Sequence, residues 1–173
     1  MNIAIVSDTH LPTTLRRLPE SLLEQLAGVD HILHAGDLVT AGVLDRLSQI
    51  APTTAVAGNM DPPELATRLK AREILSLGGR TIGLQHGHQR QELQSVYIGR
   101  SYDAPEFELF YQAMIAQLPG AEVIVFGHFH EPTVREYRGV LFVNPGSIAP
   151  PHARPTFARL RLGDAVEARI VPL

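Results

Sequence analysis

The sequence predicts an α/β fold in which two mixed β-sheets pack face to face with helices outside. Two observations predict it. Through Lys70, short apolar strands alternate with segments of helical periodicity, which argues for parallel strands joined by right-handed crossovers. After Arg72 the alternation gives way to strand pairs closed by glycine turns, the pattern of hairpins.

The first strand, residues 2–7, ends in Asp8-Thr9-His10. Residues two apart in a strand share a face, so carboxylate and imidazole leave this strand end together. Pro12 and Pro19 bracket a loop, and residues 20–27 carry Leu22, Leu23 and Leu26 at helical spacing, with Gly28 just past the end. The second strand, 31–35, ends in Gly36-Asp37, where glycine allows a tight turn. Residues 41–49 form a helix with Val43, Leu44 and Leu47 on one face. The third strand, 53–57, ends in Gly58-Asn59-Met60-Asp61, and Pro62-Pro63 opens a helix over 64–70.

Residues 73–77 and 81–85 flank a Gly78-Gly79 turn, and the second of these strands ends in His86-Gly87-His88. The polar stretch 89–105 reads as a loop or short cap beside a site. Residues 106–118 form a helix with Phe107, Phe110, Met114 and Ile115 as its apolar stripe, stopped by Pro119-Gly120. A buried strand over 123–126 ends in Gly127-His128-Phe129-His130. A hairpin over 133–137 and 140–143 turns at Arg138-Gly139 and ends in Asn144-Pro145-Gly146-Ser147. The proline-rich stretch 148–155 carries His152 and Arg154, and two strands, 156–162 and 165–171, close the chain. No repeat, linker or low-complexity tract divides residues 1–173, which read as one domain large enough for a full core.

Composition narrows the function. At 45% apolar residues the chain is not disordered, and its apolar runs are too broken for a membrane-spanning helix. The N-terminus enters a strand at once, without the pattern of a secretory signal, so the expected location is the cytoplasm. There is no cysteine, hence no disulfide and no thiolate metal site. A net charge of −3 with scattered Lys and Arg is no footprint for bulk binding of nucleic acid.

Five strand ends thus carry Asp8 with His10, Asp37, Asn59, His86, and His128 with His130. Taken singly, each Asp or Asn reads as a turn residue, and a histidine pair reads as hydrogen-bonded or metal-bound. Their repetition at the strand ends, where parallel sheets collect ligands, points to one site. Two carboxylates, one amide oxygen and four imidazoles make a nitrogen–oxygen set suited to Mn²⁺, Fe, Zn²⁺ or Ni²⁺ rather than Ca²⁺ or Mg²⁺. Seven donors exceed what one transition metal needs and suit two ions that share a carboxylate.

The ordered set Asp8-x-His10, Gly36-Asp37, Gly58-Asn59-x-Asp61, His86-Gly87-His88, Gly127-His128-x-His130 and Asn144-Pro145-Gly146-Ser147 resembles the calcineurin-like metallophosphoesterases, in their small single-domain bacterial and archaeal phosphodiesterase branch. The resemblance implies a four-layer α/β/β/α sandwich with two divalent metal ions, Mn²⁺ first and Fe, Zn²⁺ or Ni²⁺ as alternatives. By resemblance, Asp8, His10, Asp37 and His130 hold the first ion, Asp37 bridges, and Asn59, His86 and His128 complete the second. Asp37, Asn59 and His128 are then the catalytic group, bridging metals and orienting phosphate, with a metal-bound hydroxide as nucleophile. The implied activity is hydrolysis of a small-molecule phosphodiester; a phosphomonoesterase or nucleotidase, or a non-catalytic scaffold of the same fold, are the alternatives. Asp61 and His88 are expected beside the ligands rather than among them. His152 and Arg154 either meet substrate phosphate or belong to a surface loop. His31 and His34 read as structural, and self-association is left open. One departure stands out: Met60 occupies the place where many members of the family have His and the small branch often has Cys.

Overall fold

The computed structural model describes residues 1–150 and 154–173; His152 lies outside the described residues. The first half runs β1 (Asn2–Val6), α1 (Glu20–Leu26), β2 (His31–His34), α2 (Ala41–Ser48), β3 (Thr53–Ala55) and α3 (Pro63–Ala66). The second runs β4 (Arg72–Leu77), β5 (Arg80–Gln85), α4 (Gln91–Tyr97), α5 (Glu106–Gln117), β6 (Val123–Val125), β7 (Thr133–Tyr137) and β8 (Val140–Asn144). The hairpin of β9 (Thr156–Leu162) and β10 (Val166–Pro172) ends the chain.

The strands form two five-stranded mixed sheets, ordered β10-β9-β1-β2-β3 and β4-β5-β6-β8-β7. In the first, β1, β2 and β3 are parallel, and β9 joins β1 antiparallel. In the second, β5, β6 and β8 are parallel, with antiparallel β4 and β7 at the edges.

Alternation along the central strands builds the layers. Ile3 and Ile5 of β1 meet Ile82, Leu84, Val123 and Val125 in a core between the sheets. Ala4 and Val6 point the other way, against Leu22 and Leu26 of α1 and Val43 and Leu47 of α2. On the far side, Ile124 and Phe126 pack under Phe107, Phe110, Tyr111 and Met114 of α5. The result is the expected α/β/β/α sandwich.

Two local expectations are corrected. The third helix ends at Ala66 instead of continuing to Lys70. Lys70 instead pairs with the end of the first sheet: its carbonyl accepts from Ala57 N–H at 2.9 Å, and it bridges Val56 in parallel. The stretch 89–105 contains α4, whose Tyr97 is buried against the aromatic side of α5.

Candidate metal centre

The loops that follow β1, β2, β3, β5 and β6 converge at one end of the sandwich. Main-chain bonds tie them together: Asp8 N–H to Gly36 O and His10 N–H to Asp37 O, both at 3.1 Å, and Gly127 N–H to His86 O at 2.9 Å. Ordinary L-residues rarely take positive φ, yet Asp8 (53°), His10 (46°), Asp37 (59°), His128 (71°) and His130 (59°) all do. Such strain persists where surrounding structure enforces it and clusters at functional sites.

The seven sequence-derived donors sit in two adjoining groups. In the first, His10 Nε2 is 3.3 Å from His130 Nε2, and Asp8 Oδ1 is 3.2 Å from His130 Nε2 and 3.8 Å from His10 Nε2. In the second, His86 Nε2 is 3.3 Å from Asp37 Oδ2 and 3.1 Å from Asn59 Oδ1. The His128 ring lies 5.3 Å from the His86 ring. Asp37 reaches the first group too, with Oδ2 at 3.9 Å from His10 Nε2. Ligand atoms of Asp8, His10 and His130 lie within 4.8 Å of one another, as do those of Asp8, Asp37 and His86. Asp8 therefore belongs to both groups by distance, alongside Asp37.

A divalent cation fits this donor set. Asp8 Oδ1 is buried and has no hydrogen-bond partner; His130 Nε2 is near it but not aligned as a donor. A buried carboxylate oxygen left that way is costly, and a cation among the imidazoles would satisfy it. His86 is oriented for the same purpose. Its Nδ1 lies 2.6 Å from Ala35 O, so that nitrogen carries the proton and Nε2 faces Asp37 and Asn59.

Charges follow from the same contacts. Burial pushes the Asp8 carboxyl up, but the His130 and His86 imidazoles outweigh it and hold Asp8 at about 2. Burial pushes His86 down, but Asp37 and Asp8 raise it to about 9. Burial and the neighbouring His86 push His128 down to about 4, leaving it neutral as a ligand must be.

The surrounding residues divide by role. Asp61 is a brace: it accepts from the main-chain N–H of Asp37 (3.2 Å), Val39 (2.7 Å) and Gly58 (2.8 Å). His88 is exposed, with its ring 5.6 Å from His86 and 6.3 Å from His128. Arg154 is exposed. Met60 is 57% exposed, and its N–H donates to Asp37 Oδ1 at 2.7 Å. Ser147 Oγ donates to Asp8 O at 2.9 Å, holding the first ligand loop from below.

Sequence reasoning missed the role of Asn144. Its Nδ2 donates to Gly127 O at 2.9 Å and to Tyr102 Oη at 3.1 Å, while Oδ1 accepts from Gly146 N–H at 2.9 Å. The fully buried amide thus fixes the histidine loop after β6. An Asn closing an apolar strand before Pro-Gly was the available signal.

Comparison with known proteins gives the family. The model of the calcineurin-like phosphoesterase superfamily domain matches residues 1–165. A probable metallophosphoesterase of Methanothermobacter thermautotrophicus is 32% identical over 176 residues, covering 99% of this chain and 92% of the relative. A phosphodiesterase of Methanocaldococcus jannaschii is 25% identical over 160 residues, covering 84% of this chain and 83% of its own length. Among solved structures, Entamoeba histolytica Vps29 complexed with Zn²⁺ superposes with a TM-score of 0.71 at 24% identity, covering 99% of both chains. With its donors at the strand ends and a family match over nearly its whole length, this chain belongs to the calcineurin-like phosphoesterase superfamily.

Proposed function

We propose that the chain is a metal-dependent phosphodiesterase that holds two divalent cations, Mn²⁺ foremost. Asp8, His10, Asp37 and His130 would hold one; Asp37, Asn59, His86 and His128 the other. The observation that carries this is the buried, unpartnered Asp8 Oδ1 beside two imidazole nitrogens. Two bound divalent ions supply charge neutralisation at the phosphoryl oxygens and acidify water at neutral pH. The chain's own residues prepare that chemistry. The Met60 N–H occupies Asp37 Oδ1, which leaves Oδ2 facing both groups. Ionised Asp8 and Asp37 set the charge that retains cations, and the bond between His86 Nδ1 and Ala35 O fixes the ring so that Nε2 faces Asp37 and Asn59, giving up its proton when a cation binds there.

Met60 sets the substrate preference. A thioether donates no proton, so no side chain at this position protonates a departing alkoxide. Diesters with good leaving groups are hydrolysed faster than alkyl diesters, and Met60→His narrows that gap by about tenfold or more. An unchanged aryl-to-alkyl ratio of kcat/KM would refute this role for the position.

The activity is tested with Mn²⁺-supplemented protein on bis(p-nitrophenyl) phosphate and p-nitrophenyl phosphate. The diester turns over faster, and Asp37→Asn loses about a hundredfold or more in kcat. Turnover at the background rate, or indifference to Asp37→Asn, would instead favour the alternative of a non-catalytic scaffold of the same fold.

A further inference from the structure

A cavity of about 220 Å³ opens directly beside the candidate metal centre. His128 and His130 form one wall, Tyr97, Ile98, Phe107 and Phe129 form an apolar face, and Arg100, Tyr102 and Glu131 also line the cavity. Phe129 stands between the two histidines in sequence, and its ring joins the site to the aromatic core. The ring lies 5.1 Å from His128, 5.4 Å from Phe107 and 6.5 Å from Tyr97, centroid to centroid. At the mouth, Ile98 is 60% exposed, an apolar side chain next to a polar site with nothing over it. Among the described residues of the lining, the one guanidinium or ammonium is that of Arg100, 3.5 Å from the Glu106 carboxylate, and Glu131 adds a carboxylate. The cavity therefore suits a neutral planar group rather than a second phosphate. Its volume is below the roughly 300 Å³ at which pockets begin to take a whole drug-sized ligand, so it fits one ring.

We infer that this cavity receives an aromatic ring, aryl or nucleobase, carried by the phosphate ester whose phosphoryl group meets the metal centre. The inference rests on the phosphoesterase reading of that centre and names its substrate class. The phosphoryl group would meet the cations that the Asp and His donors hold, and the ring would meet Phe129, Tyr97 and Ile98. The two histidines shared by both sites keep ring and phosphate within one small molecule's span. Stacking of a ring on aromatic side chains tolerates many ring identities, so Tyr97, Phe107 and Phe129 set the requirement for a ring while Arg100 and Glu131 line the same cavity.

Calorimetric binding to the Mn²⁺-supplemented protein tests this, with inorganic phosphate, phenyl phosphate, ribose 5-phosphate and uridine 5′-monophosphate as probes. Phenyl phosphate binds about tenfold or more tighter than inorganic phosphate, or uridine monophosphate does so relative to ribose 5-phosphate. The first result assigns the cavity to aryl groups and the second to nucleobases. Ile98→Asn and Phe129→Leu each bring the ratio close to one, whereas Leu109→Asn, an exposed apolar change on α5 outside the cavity, leaves it intact. Equal affinity for ring-bearing and ring-free probes, or a gain that survives both cavity variants, overturns the inference. Because binding is read without turnover, failure here is distinct from failure of the phosphodiesterase reading, which shows as absent hydrolysis.

Discussion

At the scale of single residues, the site depends on groups that never face its centre. Asp61 accepts three main-chain N–H groups from the loops that carry Asp37 and Asn59. Each such bond to a carboxylate is worth about 1.5–3 kcal/mol, and losing the acceptor leaves buried donors unpaired. Asp61→Ala is expected to destabilise the fold by about 2–4 kcal/mol and to weaken Mn²⁺ binding, and Asp61→Asn to do roughly half as much. Denaturant unfolding and calorimetric Mn²⁺ titration of both variants check this. Unchanged stability would show that the loops hold Asp37 without the brace. The sequence Gly58-Asn59-x-Asp61 made Asp61 visible as a residue near the ligands. Its three N–H partners were not visible, because two of them come from another loop, twenty-odd residues away.

At the scale of elements, the strand ends were the most legible feature. β1 and β6 are buried on both faces, so they read as apolar runs and the polar residue that ends each is conspicuous; in β2 only Ile32 and Leu33 carry that signal, between His31 and His34. The hairpin turn at Gly78-Gly79 was legible for a different reason: φ values of 54° and 75° there need glycine. Helix α4 escaped because it is short and mostly polar, although Leu93, Val96 and Tyr97 do fall at helical spacing. The positive φ of five candidate ligand residues was also hidden. It arises where loops from both sheets meet, and an Asp or His carries no local mark of it.

That meeting of sheets also explains Gly127. A Cβ there would run into Ser7 Oγ and come within 2.7 Å of Asp8 Oδ2. The end of β6 can thus approach the end of β1 only without a side chain, and this approach lets His128 N–H donate to Asp8 Oδ2 at 3.1 Å. Gly127→Ala is expected to lower stability by about 1–3 kcal/mol, equivalent to roughly 2–12 °C in Tm. Ser7→Ala, by removing the hydroxyl that the new methyl meets, recovers part of that loss. Full stability of Gly127→Ala alone would show that the two strand ends have slack.

At the scale of the molecule, the two-sheet sandwich brings donors from both halves of the chain to one end, and its stability is tied to pH through His34. This side chain is fully buried in β2, at the edge of the site. Gly36 N–H donates to its Nδ1 at 3.2 Å, so the proton sits on Nε2, 3.2 Å from Thr9 Oγ1. Burial pushes its pKa from 6.5 down to about 3. The unfolded chain therefore binds this proton between those values while the native state does not. The stability that neutral His34 contributes is complete above pH 6.5 and is lost as pH falls toward 3. His34→Gln is expected to be less stable than the parent at pH 7 but to lose less between pH 6.5 and 4, as read by denaturant unfolding across that range. Parallel stability–pH curves for the two would contradict a neutral buried His34. Among the described residues, no helix is long and apolar enough to cross a membrane.

The central claim is that His128 and His130, two residues apart, serve different metal ions that share Asp37. In the structure His130 lies with Asp8 and His10, and the His128 ring lies beside His86. The most direct measurement is anomalous diffraction at the manganese edge from Mn²⁺-soaked crystals of the parent, His128→Ala and His130→Ala. Two peaks are expected in the parent and one in each variant. His130→Ala should lose the peak beside Asp8 and His10, and His128→Ala the peak beside His86 and Asn59. Loss of the same peak in both variants, or a single peak in the parent, would contradict the account.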